Sequence, residues 1–337
     1  MTTLETPPND SPWHLKSPID ARAVFIVIVA FVLLSFSAQR VDLGKMAEQM
    51  GEFGLASVGL KDSSQIGRGL GGLVSDMFPV AIAERTPITM IEHFDANRLP
   101  PFSRIETVQV EESKLDSDTF QTVTLMVEKT YLVQPAGYLV FVLGKMLETI
   151  EIAIWASLFA IIGSLPLAIA GARNFTPHPL IYFAARSTVS FLRSMPELIS
   201  ALFLVLAFGF GPVAGILALA LHSMGFLAKF YAEDIEAADP KPLEAMRATG
   251  AGSFAALRLA VLPQVLPSYT ALTLYILDRN VRMAAVIGLV GAGGIGQELK
   301  GRYDMFQYDR VGTILLVIFI TVLLLDQLAA HLRRRLI

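Results

Sequence analysis

The chain has 337 residues, of which 53% are hydrophobic and 17% charged, and its mean hydropathy is +0.55. Charged residues make up about 25% of ordinary soluble proteins, so this composition points to a membrane protein in contact with lipid. The net charge of -3 leaves no electrostatic footprint for nucleic acid, and the lack of cysteine excludes disulfides, thiolate metal sites and a cysteine nucleophile.

A membrane-spanning helix needs about 20 mostly apolar residues. Residues 1–20 are a polar tail containing Lys16, and the first span is expected at Ala21–Ala38, with Arg22 at its edge. The same stretch also reads as a cleaved leader, with Ser35 and Ser37 before the cut. Residues 39–137 mix acidic and basic side chains. Their first half reads as helix, because Leu43, Met46, Met50 and Phe53 recur at helical spacing. The second half reads as strands at Arg104–Val110 and Thr119–Val127, with Ser113–Asp118 as the turn. Together they make a small α+β insertion between the first two spans. It serves either as a shielding or assembly surface or as a contact for a soluble partner.

Residues 138–337 hold five further expected spans, at Tyr138–Ala170, Leu180–Gly209, Pro212–Tyr231, Leu257–Val290 and Val311–Leu332. The chain therefore reads as an all-α polytopic membrane protein with six transmembrane helices. Basic residues concentrate at Arg333-Arg334-Arg335 and, after the fourth span, at Lys229, Lys241, Arg247 and Arg258. The positive-inside rule then puts both termini in the cytoplasm and the insertion outside, in a multi-pass protein of the cytoplasmic membrane. Pro166, Pro196, Pro263 and Pro267 are expected to kink or start helices.

Charged residues inside spans are costly and should face protein or water. Asp278, Arg279, Asn280 and Arg282 fall within the fifth span. Arg282 reads either as a lining residue of a path or as half of an ion pair, and Arg279 as a partner of Asp278 or Glu151. Arg193 and Glu197 are four apart, hence on one face of the third span, and read either as an internal pair that glues helices or as residues near a path. Glu148 and Glu151 are expected to find basic partners on the fifth span. Gly291, Gly293 and Gly296 fit G-x-G-x-x-G, but they lie between two spans with no βαβ unit, so a dinucleotide site is rejected. A tightly packed or flexible turn is the expectation there.

The most informative stretch is the loop 233–263. Asp239 suits an N-cap, Pro240 the first helical position and Gly250 the position past a helix end. A short capped helix follows, with Leu243 and Met246 on one side. Such a knob can offer a few apolar anchors to a groove on a partner. Glu244-Ala245-Met246, three residues, Gly250, nine residues and then Ala260-Val261-Leu262-Pro263 resemble the Glu-Ala-Ala signature of bacterial ABC importer permeases. Met246 stands for the second alanine and Ala260 for an isoleucine. Phe191–Leu198 and Asn280–Gly296 extend the resemblance to the phosphonate-type permeases, and Phe191–Leu198 also to permeases for methionine. The resemblance implies a type I ABC importer permease fold. It implies a homodimer, an ABC ATPase docked on Leu243, Glu244, Ala245, Met246, Gly250, Leu262 and Pro263, and an extracytoplasmic solute-binding protein. ATP and Mg are then expected on the ATPase alone, since no G-x-x-x-x-G-K-[ST] occurs in this chain. Phosphonate is the expected cargo, with phosphate, phosphite or methionine as alternatives and an ATP-independent secondary transporter as the rival class. Arg193, Glu197, Asn280, Arg282 and the glycines 291, 293, 294 and 296 are the candidates for a path or gate.

Overall fold

The computed structural model describes residues 21–336, apart from 92–93, 97–98 and 116–121. The tail 1–20 and residues 116–118 of the expected turn lie outside the described residues, and 113–115 of that turn are strand instead. The chain divides into two compact units, 1–75 and 76–337.

In the first unit, α1 (Ala21–Arg40) exposes large apolar side chains from Val24 to Phe36. A helix apolar all round belongs in lipid or in a core. The chain turns by 70° into α2 (Leu43–Ser57), and Asp42 makes the corner in the left-handed region with φ 51. α3 (Gln65–Met77) closes the unit, and the Ser64 hydroxyl accepts the Gly67 N–H at 3.0 Å at its start. The helical spacing read around Leu43–Phe53 thus corresponds to α2.

The second unit begins with an antiparallel sheet ordered β1-β3-β2 among the described residues, from β1 (Glu84–Pro87), β2 (Arg104–Leu115) and β3 (Thr122–Gln134). β2 and β3 form a hairpin with Arg104 opposite Val133 and Leu115 opposite Thr122. The alternating sequence marked both long strands, although each runs further than expected. β1 has four residues and ends in proline, too little to show a period. The segment before β1 is tied to the last helix, since the Ala81 N–H donates to the Asp309 carbonyl at 3.2 Å and the Thr313 hydroxyl to the Ala81 carbonyl at 2.6 Å.

The helical part follows as α4 (Gly137–Ala170), α5 (Pro179–Ser194), α6 (Glu197–Phe208), α7 (Pro212–Ala237) and α8 (Pro240–Ala248). Then come α9 (Ser253–Ala256), a π-helical turn (Leu257–Val261), α10 (Leu262–Gly288), α11 (Gly294–Asp304) and α12 (Tyr308–Leu336). Four of these helical stretches are long and apolar enough to cross a membrane, and counting the bent pairs α1–α2 and α5–α6 as one span each makes six. The expected third span is therefore not one helix. It breaks by 90° between Ser194 and Glu197, because Pro196 lacks an N–H and pushes Met195 into the extended region at φ -82, ψ 118. The stretch between the glycine turn and the last helix is also helical, as α11.

α4 and α7 form the centre. Ala153, Ala156 and Ala160 on α4 and Ala218, Ala220 and Ala228 on α7 are all buried, in the two core clusters to which both helices contribute. Small residues let helix backbones approach, which is how helices gain packing energy where lipid supplies no hydrophobic drive. Asn280 from α10 is fully buried against this pair. Its Nδ2 donates to Ser157 Oγ and its Oδ1 accepts from Ser223 Oγ, both at 2.9 Å. One side chain thus joins α4, α7 and α10, and every polar atom in the triad has a partner.

The corner between α10 and α11 is built from glycine. Gly291, Gly293 and Gly294 have φ of 91, 84 and 70, where a Cβ is strained. A Cβ on Gly288 would fall 2.6 Å from the Gly293 carbonyl oxygen, and one on Gly296 would overlap the Ala285 carbonyl oxygen.

Two outcomes are expected. Asn280→Ala lowers stability in detergent by about 1–3 kcal/mol, because two buried hydroxyls lose a partner; an unchanged melting temperature counts against the clamp. Gly296→Ala costs about 1–3 kcal/mol by overpacking, whereas Gly301→Ala, with open space at the Cβ position, leaves the melting temperature within a degree or so of the parent. Equal melting curves for the two variants would contradict the packed corner.

Candidate functional site

α8 is capped at both ends by its own sequence. The Asp239 carboxylate accepts the Lys241 N–H at 3.0 Å. At the other end Gly250 is left-handed with φ 80. Its N–H reaches the Arg247 carbonyl at 3.0 Å, and the Ala251 N–H reaches the Met246 carbonyl at 3.2 Å. This pair of bonds is a Schellman motif, for which glycine is the favoured residue.

Leu243 and Met246 do share a side, but that side points into their own chain. Leu243 is 6% exposed, in the cluster with Tyr231, Ile235 and Val261, and Met246 packs on the same cluster. They fasten α8 to the bundle rather than offering anchors to a partner. Glu244, Ala245, Ala248 and Gly250 are among the residues left exposed. Leu262 and Pro263 are exposed at the start of α10, and Leu262 lines an open apolar groove of about 340 Å³ with Leu165, Ile169, Phe254 and Tyr269.

Gln264 and Glu236 complete this end, and no motif singled them out. Gln264 Oε1 accepts the Asp239 N–H at 3.0 Å while its Nε2 donates to the Ala260 carbonyl at 2.7 Å, so it staples the start of α8 to the π-helical turn. Glu236 accepts the Arg173 N–H at 2.9 Å and pairs with Arg186 at 3.0 Å. Arg247 donates to the Asn174 carbonyl at 3.3 Å. Such partners come from residues 25 to 73 positions away, beyond the reach of local patterns.

At the opposite end, α4 caps the glycine corner. Glu148 Oε1 accepts the Gly294 N–H at 3.1 Å, and Thr149 Oγ1 accepts the Ile295 N–H at 2.8 Å. The carboxylate thus sits at the N-terminus of α11, where the helix dipole favours it. Its cation is Lys145 at 2.8 Å, on its own helix. The expectation that Glu148 would pair with span five is corrected: what span five offers is the backbone that follows it. The Gly211 N–H donates to the Gly291 carbonyl at 3.0 Å, so the α6–α7 turn joins the same corner. Gly291, Gly293, Gly294 and Gly296 are thus brought together with both turns at this end of the bundle.

The charged candidates fall into two groups. Arg282 is held between Asp278 at 2.7 Å and Asp326 on α12 at 2.8 Å, which answers its charge twice over. Arg193 and Glu197 are not on one helix face, because the break at Pro196 separates them. Glu197 instead pairs with Arg279 from α10 and lies 3.3 Å from His222 Nε2 on α7. Arg193 has no ion pair among the described residues; its stem lies against Gly225, where a Cβ would come within 3.1 Å of Arg193 Cγ. Asn280 is sealed inside the bundle, as a clamp between helices.

Comparison with known proteins agrees with this architecture. Residues 164–337 match the family described as binding-protein-dependent transport system inner membrane component. The chain is 54% identical over 261 residues to a putative phosphite transport system permease protein of Stutzerimonas stutzeri, covering 77% of this chain and 100% of that protein. It is 45% identical over 189 residues to a phosphite transport system permease protein of the same organism, covering 56% of this chain and 69% of that one. A putative cryptic phosphonate transport system permease protein of Escherichia coli (strain K12) is 43% identical over 122 residues, 36% of this chain and 100% of that protein. Among solved structures, an inward-facing form of the MetNI methionine ABC transporter superposes with a TM-score of 0.51 at 22% identity, over 58% of this chain and 96% of that chain. An amino acid ABC transporter solved with histidines gives 0.51 at 20%, over 59% and 95%. At such identities these two speak for the fold alone. With a family match over just over half of the chain and a relative matched along its whole length, the chain belongs to the inner membrane components of binding-protein-dependent transport systems, and its fold is that of the type I ABC importer permeases.

Proposed function

We propose that this permease passes phosphite, or a closely related phosphorus oxyanion such as phosphonate or phosphate, across the cytoplasmic membrane, driven by a separate ABC ATPase. The observation that carries the cargo is the 54% identity to a phosphite transport permease along that protein's whole length. In this reading two copies of the chain enclose the path. A soluble binding protein delivers the anion from outside, and ATP with Mg is bound and hydrolysed by the ATPase.

The topology supports a sidedness. α7 and α12 both run from the glycine corner toward the α8 end. Arg333-Arg334-Arg335 at the end of α12 and the basic residues around α8 therefore share one face, which the positive-inside rule makes cytoplasmic. The sheet of residues 84–134 leads directly into the start of α4, at the other face, where a binding protein would meet it. The same rule puts the N-terminal tail inside as well. The glycine corner at that outer face has the place of a gate.

α8 supports a coupling role of a specific kind. Its buried Leu243 and half-buried Met246 make it move with the π-helical turn and α10, while Glu244, Ala245 and Gly250 face outward as the contact for the ATPase. Closing of the ATPase pair then pushes α8, and α10 carries the displacement to the opposite end. Bent and broken helices suit such rocking between inward-open and outward-open forms.

Three outcomes follow. Proteoliposomes holding the permease, its ATPase and its binding protein accumulate phosphite only with ATP; flux through the permease alone would instead make it a channel or secondary transporter. Ala245→Arg abolishes copurification of the ATPase while shifting stability by no more than about 0.5 kcal/mol, as for other exposed sites; retained copurification removes the docking assignment. Leu243→Ala costs about 2–5 kcal/mol of permease stability, and a thermal scan that shows no change would mean that Leu243 faces the partner after all.

A further inference from the structure

The break between α5 and α6 carries a cluster that the function described so far does not use. Glu197 opens α6, His222 lies on α7 and Arg279 on α10. Counted at about 1.5 Å per residue, Glu197 is about 17 Å from the outer end of α6, His222 about 15 Å from that of α7, and Arg279 about 14 Å from that of α10. The hydrocarbon layer is about 30 Å thick, so all three meet near its middle. His222 Nδ1 lies 3.2 Å from the Met195 carbonyl and its Nε2 3.3 Å from Arg279 Nη2.

The charges here are not balanced as they are elsewhere. Arg282 meets two carboxylates, whereas Arg279 meets one. Arg279 directs Nη2 at Glu197 and His222, and its Nη1 is buried with no hydrogen-bond partner among the described residues. A charged donor left unsatisfied in so dry a place is unfavourable unless something takes its protons. The Arg279 side chain as a whole is still a quarter exposed, on a face shared with the half-open Tyr275 one turn away.

We propose that Arg279 is a transit site for the cargo anion. As the helices rock and open this face, one oxygen of a tetrahedral phosphorus oxyanion accepts from Nη1, while Glu197 keeps Nη2. The fork of arginine lets one nitrogen hold the carboxylate while the other meets the anion. The Glu197 carboxylate orients the guanidinium and repels the anion, so that binding is strong enough to enter and weak enough to leave. His222 holds the far side of the same guanidinium and pins the broken helix at Met195. The assignment rests on a phosphorus oxyanion being the cargo and names the residue that receives it within the membrane.

The experiment is uptake of labelled phosphite by proteoliposomes holding the complete importer, comparing the parent with the double variant Glu197→Gln, Arg279→Gln and with Arg279→Lys. A buried ion pair can be replaced by neutral groups of like shape with little loss. If the pair only joins helices, the double variant therefore transports within about twofold of the parent, and the proposal falls while the cargo stands. If Arg279 binds the anion, uptake by the double variant drops by about tenfold or more, the size expected for a lost charged hydrogen bond. Should the double variant not assemble with the ATPase, Arg279→Lys decides. It keeps the charge beside Glu197 but loses the fork, so a rise in the phosphite KM of about tenfold supports the site, and an unchanged KM overturns it. A parent importer that accumulates none of phosphite, phosphate or methylphosphonate would overturn the cargo itself, and the transit site with it.

Discussion

In the middle of a bilayer no water is available to take a hydrogen bond, so each polar group must find its partner within the protein. That constraint explains where this chain is regular and where it departs from regularity. Asn280 can lie in a membrane helix because Ser157 and Ser223 complete its amide. Arg282 can lie one turn from Asp278 because Asp326 reaches it from α12. The helix break at Pro196 is tolerated because the Met195 carbonyl, freed from the helix, faces His222. The start of α11 is tolerated because Glu148 and Thr149 take its first N–H groups.

The same requirement turns isolated polar residues into joints between helices. Asn280 fixes α10 to α4 and α7, while Gln264 fixes α8 to the π-helical turn at the foot of α10. α10 is therefore bonded to its neighbours at its foot and inside the bundle. An element fastened in this way moves as a body, which is what is needed to carry a push at α8 to the glycine corner. The π-helical turn, where the helix ladder is locally widened, lies where α8 is stapled on. Such turns occur often at functional sites. Arg279 stands apart in this scheme, since its Nη1 is the one guanidinium nitrogen that the described residues leave buried and unanswered.

Glycine and alanine supply the other half of the mechanics. Along α4 and α7 the alanines bring backbones close enough for dispersion to hold the pair. At the corner after α10, Gly288 and Gly296 leave room only for each other's backbone, so a compact turn closes that end of the bundle. The G-x-G-x-x-G pattern is thus a packing device, and its likeness to a nucleotide fingerprint is a coincidence of spacing.

The sequence by itself determined a good deal. Apolar run length marks spans whatever their packing, because the bilayer sets the length. The caps of α8 were legible because Asp239, Pro240 and Gly250 act within one turn of the backbone they satisfy. The alternation in β2 and β3 was legible for the same local reason. The tertiary structure alone decided who meets whom. It turned Leu243 and Met246 inward, gave Glu197 to Arg279 instead of Arg193, and gave Glu148 to the backbone of α11 instead of a basic residue on the fifth span. Each of these depends on residues dozens of positions apart being brought to one depth and one face. Local propensity and spacing carry no information about that pairing; the packing of whole helices does.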